Sequence, residues 1–257
     1  MNTPRVIPVL LLKSDGLVKG IAFKDHKYIG DPINAVRIFN DKEVDELLFL
    51  DINASLKNRR PNIDLIRKLA DECYMPFGVG GGIRNVDEIR DILGAGAEKV
   101  SINTSAVENP ELIREASGIF GSQSVVVSID VRKNWLGKYY VCIKSGSEQT
   151  DLDPVDWARK AQELGAGEIL LTRIENDGTM NGYDVELIRK VAEVLGIPLI
   201  ASGGAGKMED FSSALKEGAS AVAAGAKFIL HGKHRAVLIT YPDKKSLECL
   251  GVERFKV

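Results

Sequence analysis

The chain repeats itself at half its length. Residues 78–106, GVGGGIRNVDEIRDILGAGAEKVSINTSA, lie over residues 200–228, IASGGAGKMEDFSSALKEGASAVAAGAKF, at an offset of 122. LLFLDINA (47–54) lies over ILLTRIEN (169–176) at the same offset. A repeat this long is not a solenoid, whose units run about 20–50 residues. Each half instead carries four strand-and-helix units. Short apolar or β-branched runs recur at Val6–Leu11, Leu47–Ile52, Phe77–Val79, Lys99–Ile102, Val125–Ile129, Ile169–Leu171, Pro198–Ala201 and Ala221–Ala224. Amphipathic helical patterns separate most of them, over 31–39, 62–73, 86–94, 109–119, 155–164, 184–195 and 208–217. Eight strands alternating with helices in about 250 residues predict an α/β fold, a (β/α)8 TIM barrel filling residues 1–257. Its half-barrels divide at about 1–121 and 122–257. An open doubly wound sheet is the alternative; the eight-fold count and the repeat favour the barrel.

Composition narrows the function classes. The 257 residues are 44% apolar and 27% charged, as in a cored globular protein. A net charge of −2 gives no general pull toward nucleic acid or anionic membrane. No apolar stretch approaches the ~20 residues that span a bilayer, and MNTPRVIPVL lacks a signal-peptide layout. Cys73, Cys142 and Cys249 are odd in number and widely spaced, so they form neither a disulfide framework nor a zinc site. A cytoplasmic location is expected, with no metal and no cofactor.

In a barrel, chemistry sits at the C-terminal ends of the strands. There the chain offers Gly80-Gly81-Gly82 followed by Asn103-Thr104, and in the other half Gly203-Gly204 followed by Gly225-Ala226. Glycine lets backbone N–H groups approach an anion, and a following helix start adds its dipole. One such cluster is weak evidence, because tight turns also use glycine. The duplicated pair predicts a ligand with a phosphate at each end. Neither cluster fits a dinucleotide fingerprint or a P-loop. Asp177-Gly178-Thr179 is either a turn or the completion of the second cradle.

The two halves differ in one telling place. The first strand, in RVIPVLLLKSDG (5–16), has Leu11 where the fifth, in SVVVSIDVRK (124–133), has Asp130.

The chain resembles the cyclase subunit of imidazole glycerol phosphate synthase, the HisF family, from Arg5 to about Phe228. The likeness rests on GDP (30–32), DELLFLDI (45–52), VGGGIR (79–84), KVSINTSAV (99–107), NPELIREA (109–116), FGSQSVVVSID (120–130), GAGEILL (165–171), DGT-x-x-GYD (177–184) and PLIASGGAG (198–206). The resemblance implies phosphate sites at Gly82, Asn103, Thr104, Asp177, Gly178, Gly203, Gly204, Gly225 and Ala226. It implies a HisH-like glutaminase docked on the N-terminal face, with Glu98 facing it. Ammonia would enter through a ring of alternating charges, Arg5, Glu46, Lys99 and Glu168; read without the family, the same residues are a salt-bridge plug. It also implies a two-carboxylate cyclase mechanism that forms imidazole glycerol phosphate and AICAR from PRFAR and ammonia. Here the catalytic Asp130 is kept and its partner is Leu11, which carries no proton. Asp15 and Lys19 are the nearest candidates to stand in.

Other departures gather nearby: Asn53 for a threonine, Lys27-Tyr28 for an Arg-Asp pair, and Arg173 for a serine, while Asp51 and Lys19 remain. The family ends in a helix, whereas AVLITYP (236–242) is β-branched and reads as extended. His231 and His234 read as polar surface rather than metal ligands. VLLLK (9–13), KYIGDPINAVRIFN (27–40) and HGKHRAVLITYP (231–242) are similar to the HisF-like WbuZ group, linked to sugar amidation in surface polysaccharides. On that resemblance the barrel passes ammonia toward a sugar amidotransferase. The alternative is a working cyclase of histidine biosynthesis.

Overall fold

The computed structural model describes residues 4–253. Eight parallel strands close on one another: β1 (Arg5–Lys13), β2 (Leu47–Asp51), β3 (Phe77–Gly80), β4 (Lys99–Ile102), β5 (Val125–Lys133), β6 (Glu168–Arg173), β7 (Leu199–Ser202) and β8 (Ala221–Ala224). β1 pairs with both β8 and β2, and β5 with both β4 and β6, so the sheet has no free edge. The fold is the expected (β/α)8 barrel, not an open sheet.

Helices α1 (Pro32–Asn40), α2 (Ile63–Glu72), α3 (Val86–Gly94), α4 (Glu111–Phe120), α5 (Pro154–Glu163), α6 (Val185–Ala192), α7 (Met208–Lys216) and α8 (Lys244–Glu253) cover the outside. Their starts are written in the sequence. Asp31, Asn62, Asn85, Asp153 and Asp184 each accept a backbone N–H of the first turn, and Pro32 and Pro154 open α1 and α5. Each helix lays an apolar face on the barrel wall, as Ile89 and Ile92 do from α3 and Ile188 and Val191 from α6.

A second apolar cluster fills the lumen: Ile7, Val9, Leu11, Leu48, Val126, Leu170, Ile200, Ala221 and Ala223. Strand alternation puts these residues on the inner face and leaves their neighbours to the helices. A barrel of eight strands is just wide enough for side chains to fill it.

Two hairpins rise from the C-terminal face. Gly16–Ile21 pairs antiparallel with Lys24–Gly30, and the extended end of β5 pairs with Tyr139–Ile143. Leu230–His231 and Ala236–Val237 form a third short ladder, so the stretch after the barrel begins extended, and α8 follows it. Tyr241, between them, donates its hydroxyl to the carbonyl of Val6 at 2.8 Å and ties this segment to the barrel floor.

Candidate functional site

A cavity of about 250 Å³ opens at the C-terminal ends of the strands. Its floor is polar, with Ser101 from β4, Ser128 from β5, Thr172 from β6 and Ser202 from β7. Ser128, Thr172 and Ser202 follow the apolar lumen residues Val126, Leu170 and Ile200 on the same strand faces, and Ser101 follows Lys99, because side-chain direction repeats every second residue.

Asp130 projects into this cavity from β5 and Leu11 from β1. The two strands lie four places apart in a ring of eight, hence on opposite walls. Burial drives the Asp130 carboxyl up, the nearby Asp177 charge adds to it and the Thr172 hydroxyl opposes it; the result is about 7. Asn103 approaches one Asp130 oxygen with its amide nitrogen at 3.3 Å and donates to the Ser128 carbonyl at 3.0 Å. Asp130 is thus part acid and part base near neutrality, as a general acid–base group requires. Leu11 is 7% exposed and pairs in register with Val18 and Leu50.

Two further carboxylates line the cavity, and both are engaged. Asp51 accepts from Arg59 at 2.6 Å and from the backbone N–H groups of Asn53 and Ala54. Asp177 accepts the Lys19 ammonium on both oxygens, at 2.9 and 3.0 Å. Asp15, a candidate substitute for the missing acid, is exposed, accepts from Asn62 at 3.1 Å and does not line the cavity.

The first cradle is open to the cavity. Gly82, Asn103 and Thr104 all line it. Gly82 has φ +75°, and its N–H donates to the Ser55 hydroxyl at 3.2 Å. Thr104 accepts the Lys144 N–H at 2.9 Å and begins a single helical turn, Thr104–Glu108. The hydroxyls of Ser101 and Ser105, both at the cavity wall, make no hydrogen bond within the described residues.

The second cradle is more closely packed than the glycine pattern implied. Asp177 and Gly225 line the cavity, while Gly178, Gly203, Gly204 and Ala226 are not among its lining residues. Gly178 has φ +74°, and a Cβ there would collide with the Gly20 carbonyl. The first hairpin rests on this loop, because the Ala22 N–H donates to the Asp177 carbonyl at 2.8 Å. Arg235 donates to the Gly178 carbonyl at 2.7 Å. Asp177-Gly178 is therefore a turn that also borders the cavity.

At the opposite end of the lumen, Arg5, Glu46, Lys99 and Glu168 form a closed ring. Arg5 reaches Glu46 and, at 2.7 Å, Glu168; Lys99 reaches Glu46 at 3.0 Å and Glu168 at 3.2 Å. Burial alone would lower the Arg5 guanidinium, but Glu168 and Glu46 outweigh it and hold its pKa above the ordinary value. Glu98 lies next to the ring and is exposed on the N-terminal face. His231 and His234 are exposed. Among the described residues, no group of three His, Cys, Asp or Glu is placed to hold a metal ion, and no helix is long and apolar enough to cross a membrane.

Arg173 stands outside the lumen, on the opposite side of β6 from Thr172. It lies 3.1 Å from Glu175 and over the Tyr139 ring, whose hydroxyl donates to Asp184 at 2.9 Å. Sequence reasoning passed over His26, which lines the cavity from the first hairpin.

Comparison with known proteins gives the family of the chain. A family model described as histidine biosynthesis protein matches residues 5–235. A Pseudomonas aeruginosa protein, provisionally named imidazole glycerol phosphate synthase subunit hisF2, is 50% identical over 245 residues, 95% of this chain and 98% of its own. A Leptospira borgpetersenii protein with the provisional name of subunit HisF is 48% identical, covering 97% of this chain and 99% of its own. The imidazole glycerol phosphate synthase subunit HisF of Alkaliphilus metalliredigens is 46% identical over 88% of this chain and 90% of its own. The barrel, the matched model and these relatives together place the chain in the histidine biosynthesis protein family, among the homologues of imidazole glycerol phosphate synthase subunit HisF.

Proposed function

We propose that the chain is the barrel subunit of a glutamine amidotransferase, and that it conducts ammonia without performing the family's cyclization. A HisH-like glutaminase docks on the N-terminal face beside Glu98. Ammonia enters through the Arg5–Glu46–Lys99–Glu168 ring and crosses the apolar lumen, whose lining carries no group to protonate and trap it. It emerges at a cavity that holds a phosphorylated ligand between two cradles. An external acceptor, a sugar of surface polysaccharide handled by a sugar amidotransferase, consumes it.

The observation that carries this reading is Leu11. Cyclization needs proton carriers on both sides of the substrate, and losing one costs about 10²–10⁴ in rate. Asp130 is the cavity's one carboxylate without a cationic partner among the described residues, since Asp51 and Asp177 are held by Arg59 and Lys19. The test pairs the chain with a HisH-type glutaminase, glutamine and PRFAR. The expected result is glutamine hydrolysis with free ammonia released and PRFAR intact. PRFAR consumed one-for-one with glutamine contradicts the reading.

One observation favours a second reading, a working cyclase of histidine biosynthesis. Asp177 lies near enough to Asp130 to raise its pKa, so the cavity does contain two interacting carboxylates. The names of the relatives point the same way.

A further inference from the structure

His26 comes from the arm Lys24–Gly30 of the first hairpin and faces the cavity, half-buried, its imidazole making no hydrogen bond within the described residues. Its surroundings are those of the second cradle. A Cβ on Gly20 would stand 3.0 Å from the imidazole Cδ2, and Gly20 in turn packs on Gly178. Lys19, next in the chain, holds Asp177 and lies against Gly225, its ammonium 3.1 Å from where a Cβ would be.

The charge balance here is unfavourable for an anion. Lys19 is already matched by Asp177, and Asp130, part ionised near neutrality, adds some negative charge elsewhere in the cavity. A dianion entering beside Gly225 needs one more positive charge close by. His26 is the group there able to gain one. Lys13 and Lys19 face it as cations, Asp177 and Asp25 as anions. Burial, then Lys13 and Lys19, hold its pKa below the usual histidine value, so the empty cradle disfavours the charged imidazole.

We propose that His26 completes the second cradle and takes up a proton when a phosphate-type dianion binds beside Lys19. The bound dianion then faces an imidazolium N–H as well as the shared ammonium. Ligand binding in this half of the cavity draws a proton from solvent and strengthens as pH falls. This rests on the second cradle being an anion site, which the experiment examines separately.

Sulfate is the probe, because it stays dianionic across the neutral range and leaves all titration to the protein. The native chain is followed by NMR through the His26 ring protons and the Gly178 and Gly225 amides. With saturating sulfate, the His26 midpoint rises by about one pH unit, a roughly tenfold coupling. His26→Gln weakens sulfate several-fold near pH 6, a loss that approaches about tenfold only well below the free His26 midpoint, and less than about twofold near pH 8.5, where the native imidazole is neutral in both states. Sulfate that moves the two glycine amides but not the His26 midpoint overturns the proposal and leaves the cradle standing. Sulfate that moves neither amide overturns the cradle itself, and the role of His26 with it. The native-chain titration decides these outcomes whether or not the variant folds.

Discussion

Lys19 and Asp177 form a bidentate ion pair between the first hairpin and the loop after β6, with the lysine side chain 3% and the aspartate side chain 12% exposed. The pair fastens the hairpin over the cavity. Removing one partner strands the other: Asp177→Asn leaves a buried ammonium and costs about 3–5 kcal/mol, whereas the double variant Lys19→Met/Asp177→Asn recovers part of it. Thermal unfolding of the native chain and the two variants checks the order. Limited proteolysis at the turn Ala22–Phe23 reports whether the hairpin has come loose.

The titration of Asp130 leaves its mark on stability. Its folded pKa, about 7, lies above the unfolded value of about 3.9, so the folded state holds the proton longer. Its contribution is therefore full below about pH 4, falls as pH rises toward 7 and changes no further above that. Asp130→Asn removes this slope and stabilises the protein at pH 8, on the order of 1–3 kcal/mol. Urea unfolding of both proteins between pH 4.5 and pH 8 is the measurement.

The ring at the barrel floor makes a further prediction. Glu46→Gln leaves Lys99 and Arg5 sharing Glu168 alone. We expect a loss of about 1–3 kcal/mol, less than for a fully buried pair because Arg5 keeps 30% of its side chain exposed. Glutamine-driven ammonia release through the barrel changes in this variant, while sulfate binding at the opposite end does not.

Gly178 shows what the glycines contribute. Gly178→Ala meets both a φ of +74° and the Gly20 carbonyl. The expected cost is about 1–3 kcal/mol, or roughly 2–10 °C in melting temperature for a chain of this size. Gly94→Ala, in a helix with no atom within 4 Å of the new Cβ, has no such cost and serves as the control.

Much of this was legible in the residues. The strands were visible because each is a short apolar run bounded by turns, and the half-length repeat fixed their number. The helix starts were visible through Asp and Asn caps. The ring and Asp130 followed from family likeness laid on the chain residue by residue. The first hairpin was not legible. Its turn puts Ala22 and Phe23 at φ 50° and 63°, a conformation that usually advertises itself through Asn or Gly. Missing the hairpin meant missing His26 and the engagement of Asp177 by Lys19, since both depend on a long-range contact that no local pattern encodes.

The account turns on Leu11 facing Asp130, and one assay tests it most directly. The native chain and Leu11→Asp are each given PRFAR and ammonium salt at alkaline pH, which removes any need for a glutaminase. A second carboxylate on β1 replaces a 7%-exposed leucine, so the variant loses about 1–3 kcal/mol of stability. The predicted result is no cyclase turnover in the native chain and measurable turnover in the variant, a gain of about 10²-fold or more over background. Robust turnover by the native chain, unimproved by Leu11→Asp, would contradict the account.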